Sequence, residues 1–241
     1  DTLTGDAGAD TLYDGTGVDI MNGGADDDLI VAYDDNGAES DTYDGDGGND
    51  TLDMSSFDDD ITIDIGANTT NTGDVIADFE SVYTGSGADT ITGTAGSNTI
   101  ISGAGIDHIT AGGGADNIQT GAGDDTIIGG AGDDVIDGGT GIDKLDYASE
   151  ANAIVVDMSV SAGEVTGVSS GTDDITNINE IVGTDYNDIF TADSDGMIFR
   201  GGTGADTFIG GAAADIFHGG ADADLFIINN DNAGDQFNGD A

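Results

Sequence analysis

The sequence predicts an all-β fold, a parallel β-solenoid in which two nonapeptides form each coil. Residues 84–146 are seven nonapeptides in unbroken register, each readable as x-G-x-G-x-D-x-U-x, where U is large and apolar. The eighth position is Ile or Leu in all seven, and the sixth is Asp in all but one, which has Asn98. Six glycine-rich residues favour a turn, and the remaining x-U-x favours a short strand whose middle residue points inward.

Two nonapeptides per coil place residues 18 positions apart above one another, about 4.8 Å apart along the solenoid. Asp89, Asp107, Asp125 and Asp143 then form one column, and Asn98, Asp116 and Asp134 form the other. Asx turns alone would explain a few aspartates, but 16 of the 18 sixth positions are Asp. Carboxylates beside turn carbonyls give an all-oxygen site that suits Ca²⁺ better than Mg²⁺ or Zn²⁺. Same-side pairs predict about nine or more Ca²⁺ ions.

These repeats resemble the RTX (repeats-in-toxin) family of hemolysin-type calcium-binding proteins. The resemblance implies a right-handed parallel β-roll, secretion by a type I system, and a cell-surface or extracellular location. It also implies sixth-position side-chain ligands, which here are Asp10, Asp19, Asp28, Asp41, Asp50, Asp89, Asn98, Asp107, Asp116, Asp125, Asp134, Asp143, Asp188, Asp206, Asp215 and Asp224. The implied backbone ligands are the turn carbonyls of Gly103, Gly105, Gly112, Gly114, Gly121, Gly123, Gly130, Gly132, Gly139 and Gly141.

The pattern divides one continuous solenoid, residues 1–241, into five segments. Residues 1–53 are repeats with a four-residue insertion at 32–35, 54–83 are a non-consensus break, and 84–146 are the regular array. A second break, 147–182, aligns with the first, so a longer duplication overlies the nonapeptides; the RTX resemblance implies that such breaks continue the solenoid with longer strands. Residues 183–241 have Phe at the eighth position, have Met197 at one sixth position, and contain a final repeat displaced by two residues. Because the chain begins and ends within a repeat, we expect a window of a longer chain.

Composition restricts the possible partners. Asp and Glu number 50 against two Lys and Arg, for a formal net charge of −48. Such a chain repels nucleic acid and anionic membranes, and it stays expanded unless cations neutralise it. The absence of cysteine excludes disulfides and zinc–thiolate sites. No apolar run reaches the roughly 18 residues of a membrane span. We therefore predict no nucleic-acid partner, no membrane insertion, and folding coupled to calcium binding.

No catalytic constellation stands out from the repeats. His108 and His218 fall at outward positions, and we expect outward Lys144 and Arg200 to pair with neighbouring Asp. Every repeat offers the same acidic pair, whereas an active site breaks a repeat once. The glycine loops lack the Gly-Lys-Ser/Thr of phosphate-binding loops. His108 and Asn117 interrupt the outward threonines, which argues against an ice-binding ladder. We predict no enzyme activity and no catalytic residue in this chain.

The favoured function is a calcium-dependent structural segment of a secreted or cell-surface protein. It would belong to a filament, a surface layer (S-layer) or an adhesin stalk, with head-to-tail or side-by-side self-association. The alternative is the calcium-binding module of a secreted RTX enzyme or toxin, such as a protease, lipase, epimerase or hemolysin, whose active domain lies elsewhere. Outward Ile198, Ile209, Ile216, Leu225 and Ile227 form either a contact surface or a face covered by neighbouring strands.

Overall fold

The structure, a computed structural model, describes residues 1–33, 40–160, 163–227 and 234–239. Every strand or helix assigned within these residues is a β-strand, and the strands stack coil upon coil as two parallel faces. No helix in this described part of the chain is long and apolar enough to cross a membrane. The all-β solenoid predicted from the repeats is confirmed.

One face of the solenoid carries a 4-stranded and a 10-stranded sheet, and the opposite face carries a 13-stranded sheet. With strands numbered along the chain, the 4-stranded sheet contains β1 (Thr2–Ala7), β3 (Ile20–Ala25), β5 (Thr42–Gly47) and β9 (Val75–Ala77). The 10-stranded sheet contains β7 (Thr62–Asp64), β8 (Thr69–Thr70), β11 (Thr90–Thr92), β13 (His108–Gly113), β15 (Thr126–Ala131), β17 (Lys144–Asp146), β21 (Glu180–Val182), β23 (Ile198–Thr203), β25 (Ile216–Ala221) and β27 (Gln236–Gly239). The 13-stranded sheet contains β2 (Thr11–Tyr13), β4 (Leu29–Val31), β6 (Thr51–Asp53), β10 (Ser81–Tyr83), β12 (Thr99–Ile101), β14 (Asn117–Gln119), β16 (Val135–Asp137), β18 (Ile154–Asp157), β19 (Gly163–Gly167), β20 (Gly171–Thr176), β22 (Ile189–Thr191), β24 (Thr207–Ile209) and β26 (Leu225–Ile227).

The strand register follows the predicted spacing. On one face Thr90 pairs with His108, and on the opposite face Thr99 pairs with Asn117. The two residues of each pair are 18 positions apart in the sequence. In the N-terminal section Ile20 pairs with Thr42, which is 22 residues on and matches four inserted residues. The insertion at 32–35 lies partly outside the described residues. Ile216 pairs with Gln236, 20 residues on, as the predicted two-residue displacement requires.

The core is a narrow ladder of inward side chains. The eighth-position residues of the regular array, from Ile91 to Leu145, are fully buried. In the C-terminal section the phenylalanines form two stacks. Phe190, Phe208 and Phe226 have ring centroids 5.0 and 5.1 Å apart. Phe199, Phe217 and Phe237 stack at 5.9 and 5.5 Å. One apolar side chain per nonapeptide therefore fills the space between the two faces.

Both breaks continue the solenoid, each with an antiparallel strand that the sequence did not predict. The expected longer strands occur in the second break, with four to six residues, but not in the first, with two or three. In the first break, β7 pairs with the following coil through β11, and β9 pairs with the preceding coil through β5. In the second, β18 pairs with β22 and β20 pairs with β16. The first strand joins the coil ahead, so the chain must run back to reach the coil behind. The strands between them, β8 and β19, are therefore antiparallel to their neighbours.

The two breaks have the same sequence of strand directions but lie on opposite faces. In the second, β19 pairs with both β18 and β20, whereas in the first β8 pairs with β7 and β9 belongs to another sheet. The first belongs to the face of β5 and β11, and the second to the 13-stranded sheet. Successive nonapeptides alternate between the faces, and the array between the breaks has seven of them. Because seven is odd, the duplicated segment meets the opposite face when it recurs.

The outer surface departs from the sequence prediction in three details. Strands of one face, such as β13, run for six residues instead of three, because the first turn residues also pair coil to coil. Lys144 pairs with Asp146 at 3.3 Å as expected, but Arg200 pairs with Glu180 at 2.6 Å and not with an aspartate. Among the outward apolar residues Leu225 and Ile227 are exposed, whereas Ile198, Ile209 and Ile216 are half-buried.

Candidate calcium sites

Sixth-position side chains link each coil to the next. The backbone N–H of a sixth-position residue donates to Oδ1 of the sixth-position residue one coil further on. In the regular array Asp89 donates to Asp107 and Asp107 to Asp125, both at 2.8 Å. On the other side Asn98 donates to Asp116 at 2.7 Å and Asp116 to Asp134 at 2.9 Å. We call the side whose turns lead into the 13-stranded sheet the first edge and the other side the second edge. The two predicted columns are thus confirmed, one on each edge.

The second carboxylate oxygen of most of these side chains is buried without a partner. This holds for Oδ2 of Asp10, Asp19, Asp28, Asp50, Asp89, Asp107, Asp116, Asp125, Asp134, Asp143 and Asp206. A buried carboxylate oxygen that lacks a donor loses hydration without compensation and is costly. An array of such oxygens, in register from coil to coil, indicates that a cation is the missing partner.

Burial also raises the pKa values of these carboxyls. Loss of hydration raises the pKa of Asp107, Asp116 and Asp143 to about 6 and that of Asp134 to about 7. In the C-terminal section burial raises the pKa of Asp206 to about 7. The charged form is therefore poorly stabilised by the protein alone, and a bound cation would reverse this.

All ten glycines predicted to supply backbone ligands have positive φ, from 79° at Gly139 to 154° at Gly105. The backbone of the equivalent turn in the preceding coil closely approaches each of them: a Cβ on Gly121 would contact the Gly103 carbonyl oxygen, and one on Gly123 the Gly105 carbonyl. Glycine is thus required for both conformation and space. Turn carbonyls consequently point along the solenoid into the next turn.

The first turn position differs between the two edges. On the first edge it is glycine or alanine in every regular repeat, and it lies between the repeat's own aspartate and the next coil. A Cβ on Gly23 would lie 2.5 Å from Asp28 Oδ2 and 2.8 Å from the Gly45 carbonyl oxygen. On the second edge of the array a hydroxyl occupies this place in three of the four repeats, and Gly138 occupies it in the fourth. Thr84, Ser102 and Thr120 donate to the next carbonyl at 3.1, 3.1 and 2.9 Å. A hydroxyl donor therefore reaches these three carbonyl oxygens of the second edge, whereas glycine or alanine offers no side-chain donor on the first edge.

The donor set fits calcium. Within the described residues no three His, Cys, Asp or Glu side chains cluster as a metal site, so a metal must draw on backbone carbonyls together with one or two carboxylates. These are oxygen donors, which Ca²⁺ accepts in numbers of six to eight. The sequence profile of the RTX calcium-binding nonapeptide repeat (four copies) matches residues 1–30, 36–53, 77–109, 110–145 and 198–226. These matches span more than half of the 241 residues.

The chain belongs to the RTX calcium-binding repeat family. A search of curated proteins found no match. As an RTX repeat module the chain binds calcium, and the orphaned carboxylate oxygens beside turn carbonyls are the atoms that would hold it.

Several predicted RTX ligands have protein partners in place of an orphaned oxygen. The Tyr43 hydroxyl lies 3.1 Å from Asp41 Oδ2, and Gly211 N–H donates to Asp215 Oδ2 at 3.1 Å. Thr184 N–H donates to Asp188 Oδ2 at 2.6 Å. Asn98 Oδ1 accepts from Thr94 N–H at 2.7 Å. Asp224 is half-buried near the end of the stack.

Four residues of the breaks occupy sixth positions that the repeat pattern missed. Asp74 accepts from Asp41 N–H, Glu80 from Asp50 N–H, Asp173 from Asp134 N–H and Asn179 from Asp143 N–H, at 2.8–3.1 Å. Each stands two residues before a buried Ile or Val, as a sixth position stands before an eighth. That spacing was the available signal, but most of the glycines that mark the other repeats are missing, and only Gly171 stands at a fourth position, before Asp173.

Proposed function

We propose that this chain is a calcium-dependent structural segment of a secreted or cell-surface RTX protein, without enzymatic activity of its own. Its role is to remain unfolded where calcium is scarce and to become a rigid spacer where calcium is plentiful. The observation that carries the proposal is the register of buried, unpartnered Oδ2 atoms from Asp10 to Asp143. The fold encloses these charges, yet the chain supplies no cationic side chain for them.

The charge of the chain supports this coupling. A net charge of −48 with two basic side chains leaves nearly every carboxylate without a cationic partner. Lys144 and Arg200 each pair with one acid on the outer surface. Bound calcium supplies positive charge and oxygen coordination between adjacent turns. Asp side chains and turn carbonyls hold the ion, so binding and folding become one event.

The repetition of one arrangement along the whole chain supports a structural role. The chain offers the same carboxylate-and-carbonyl arrangement on coil after coil, and its exposed surface is a series of outward strand positions. A long rod of uniform coils suits a filament, a surface layer or an adhesin stalk. Exposed Leu225 and Ile227 are the residues through which we propose side-by-side contact between copies.

Circular dichroism of the full chain tests the proposal. In chelator we expect a spectrum without β signal, and on addition of calcium a cooperative gain of β signal. Magnesium at the same concentration is the control, and it should be much less effective because it requires tight octahedral geometry. A full β spectrum in chelator would show that folding does not depend on calcium.

A further inference from the structure

Each break ends in a turn that is only three residues long. In the first break β9 ends at Ala77 and Glu80 already occupies a sixth position, so residues 78–80 replace a six-residue turn. In the second break β20 ends at Thr176 and Asn179 occupies the sixth position. Asp78 and Asn177 both have φ 55°, a conformation that Asp and Asn tolerate better than most residues. Phe79 and Ile178 fill the shortened turns and are buried.

Toward the preceding coil, the first short turn presents the oxygens of a regular turn. A Cβ on Gly45 would contact the Asp78 carbonyl oxygen and lie 2.8 Å from Asp50 Oδ2, as Gly23 does with Gly45 and Asp28. Asp50 is 1% exposed and its Oδ2 has no partner. Its N–H donates to Glu80 Oε2 at 2.8 Å. The unpartnered Oδ2 of Asp50 therefore faces a turn that offers both the Asp78 carbonyl oxygen and the Glu80 carboxylate.

The second short turn repeats this arrangement on the second edge. A Cβ on Gly138 would lie 2.5 Å from the Asn177 carbonyl oxygen and 3.0 Å from Asp143 Cγ. Asp143 is fully buried, and its Oδ2 has no partner.

Toward the following coil, the short turns present almost nothing. They lack three of the four positions between the first and the sixth, which supply carbonyls elsewhere. Among the 18 nonapeptides, the two sixth positions that are not Asp are Asn98 and Met197, and both fall on the coil that directly follows a short turn on the same edge. Asn98 Nδ2 donates to the Glu80 carbonyl oxygen at 2.7 Å, so an amide takes the place of a cation. Met197 offers no ligand for a hard cation.

We propose that each short turn is the last member of a calcium ladder. Asp50, Glu80 and the Asp78 carbonyl form one calcium site, and Asp143, Asn179 and the Asn177 carbonyl form another. The junctions of the short turns with Asn98 and Met197 hold no calcium. Each short turn therefore ends one group of sites on its edge and separates it from the next group. This inference rests on the proposed calcium-dependent folding.

Counting bound calcium in the full chain by native mass spectrometry tests this assignment. Glu80→Gln keeps an oxygen that can accept from Asp50 N–H but removes the charge, and we expect one ion fewer than in the wild type. Asp50→Asn removes the charge of the ligand on the preceding coil, and this variant should also lose an ion. The control is Glu164→Gln, because Glu164 is an exposed acid of β19, and its count should equal that of the wild type. Asn98→Asp should gain no ion.

The outcomes separate this inference from the proposed function. A full complement of ions in Glu80→Gln, or an additional ion in Asn98→Asp, would overturn the assignment of the short turns. Asp116→Asn changes a regular site of the array and should lose an ion whichever way the short turns behave. If Asp116→Asn also kept the full count, the proposed role of the sixth-position carboxylates themselves would fail.

Discussion

Each sixth-position aspartate divides its two oxygens between two partners. Oδ1 accepts an N–H from the preceding coil, as Asp125 does from Asp107 at 2.8 Å. Oδ2 is left buried and unpartnered in most repeats. Asparagine in the same place would retain the first interaction but not the charge. This division explains why the position is Asp in repeat after repeat, since a turn-capping role alone would need one acceptor.

Glycine at the second turn position permits a positive φ and also lets the preceding coil approach closely. These two requirements can be tested separately. Gly15 and Gly121 have φ values of 90° and 91°. A Cβ on Gly15 would meet nothing within 4 Å, whereas one on Gly121 would contact the Gly103 carbonyl oxygen. Gly15→Ala should destabilise the calcium-loaded fold by about 1–2 kcal/mol through φ alone. Gly121→Ala should cost about 1–3 kcal/mol more through the steric contact.

Denaturant unfolding in saturating calcium measures both free energies, and Gly15→Ala serves as the matched control for Gly121→Ala. Equal losses of stability in the two variants would show that the approach of successive turns does not constrain the second position.

At the scale of elements, the second meander gives a sixth-position carboxylate a protein partner. The Tyr147 hydroxyl donates to Asp173 Oδ2 at 2.7 Å, and both residues are buried. Asp173 Oδ1 accepts from Asp134 N–H, as a regular sixth-position residue would. The carboxylate oxygen that is orphaned elsewhere is therefore satisfied in Asp173 by a phenol, whereas Oδ2 of Asp134 on the other side of the junction has no partner.

Tyr147→Phe removes the donor and leaves a buried oxygen unsatisfied. We expect a loss of about 1–3 kcal/mol in the free energy of unfolding of the calcium-loaded chain. Tyr186→Phe is the matched control, because Tyr186 is about half exposed and its hydroxyl can remain hydrated. Chemical denaturation of both variants would check this, and a Tyr147→Phe variant as stable as the control would contradict the assigned hydrogen bond.

The sequence pattern predicts the regular coils in detail and the meanders poorly, for physical reasons. Ile91 to Leu145 and their aspartates recur at a fixed period, so their stacking follows from counting. Asp74 and Asp173 escape notice because a meander, and not a glycine turn, precedes them. The reversed directions of β8 and β19 depend on which coils their neighbouring strands join, which is a property of the closed structure. Likewise, nothing local indicates that Tyr147 will reach Asp173, 26 residues away.

At the scale of the whole molecule, folding concentrates negative charge that the unfolded chain keeps hydrated. Burial raises the pKa of Asp107, Asp116 and Asp143 to about 6 and of Asp134 and Asp206 to about 7, against about 3.9 in an unfolded chain. Between these values the calcium-free fold binds more protons than the unfolded chain. Its stability is therefore greatest below the unfolded pKa and falls as the pH rises through about 6 to 7.

In calcium-depleted buffer, acidification from about pH 8 to about pH 5 should therefore increase the β signal in circular dichroism. A variant with Asn at 107, 116, 134 and 143 cannot titrate at these positions, and it should show a weaker pH dependence. A β signal that decreases on acidification in the calcium-free wild type would contradict the burial of protonatable carboxyls in the fold.

The alternation of nonapeptides between two faces also limits how such a chain can change in length. Deleting one nonapeptide from the array would transfer every later strand to the opposite face and invert the placement of the second meander. Deleting two would shorten the rod by one coil and leave all the remaining neighbours unchanged. Gains and losses during evolution, and designed changes of length, are therefore tolerated in steps of two nonapeptides. A change by an odd number would rotate all later coils by half a turn relative to the earlier ones.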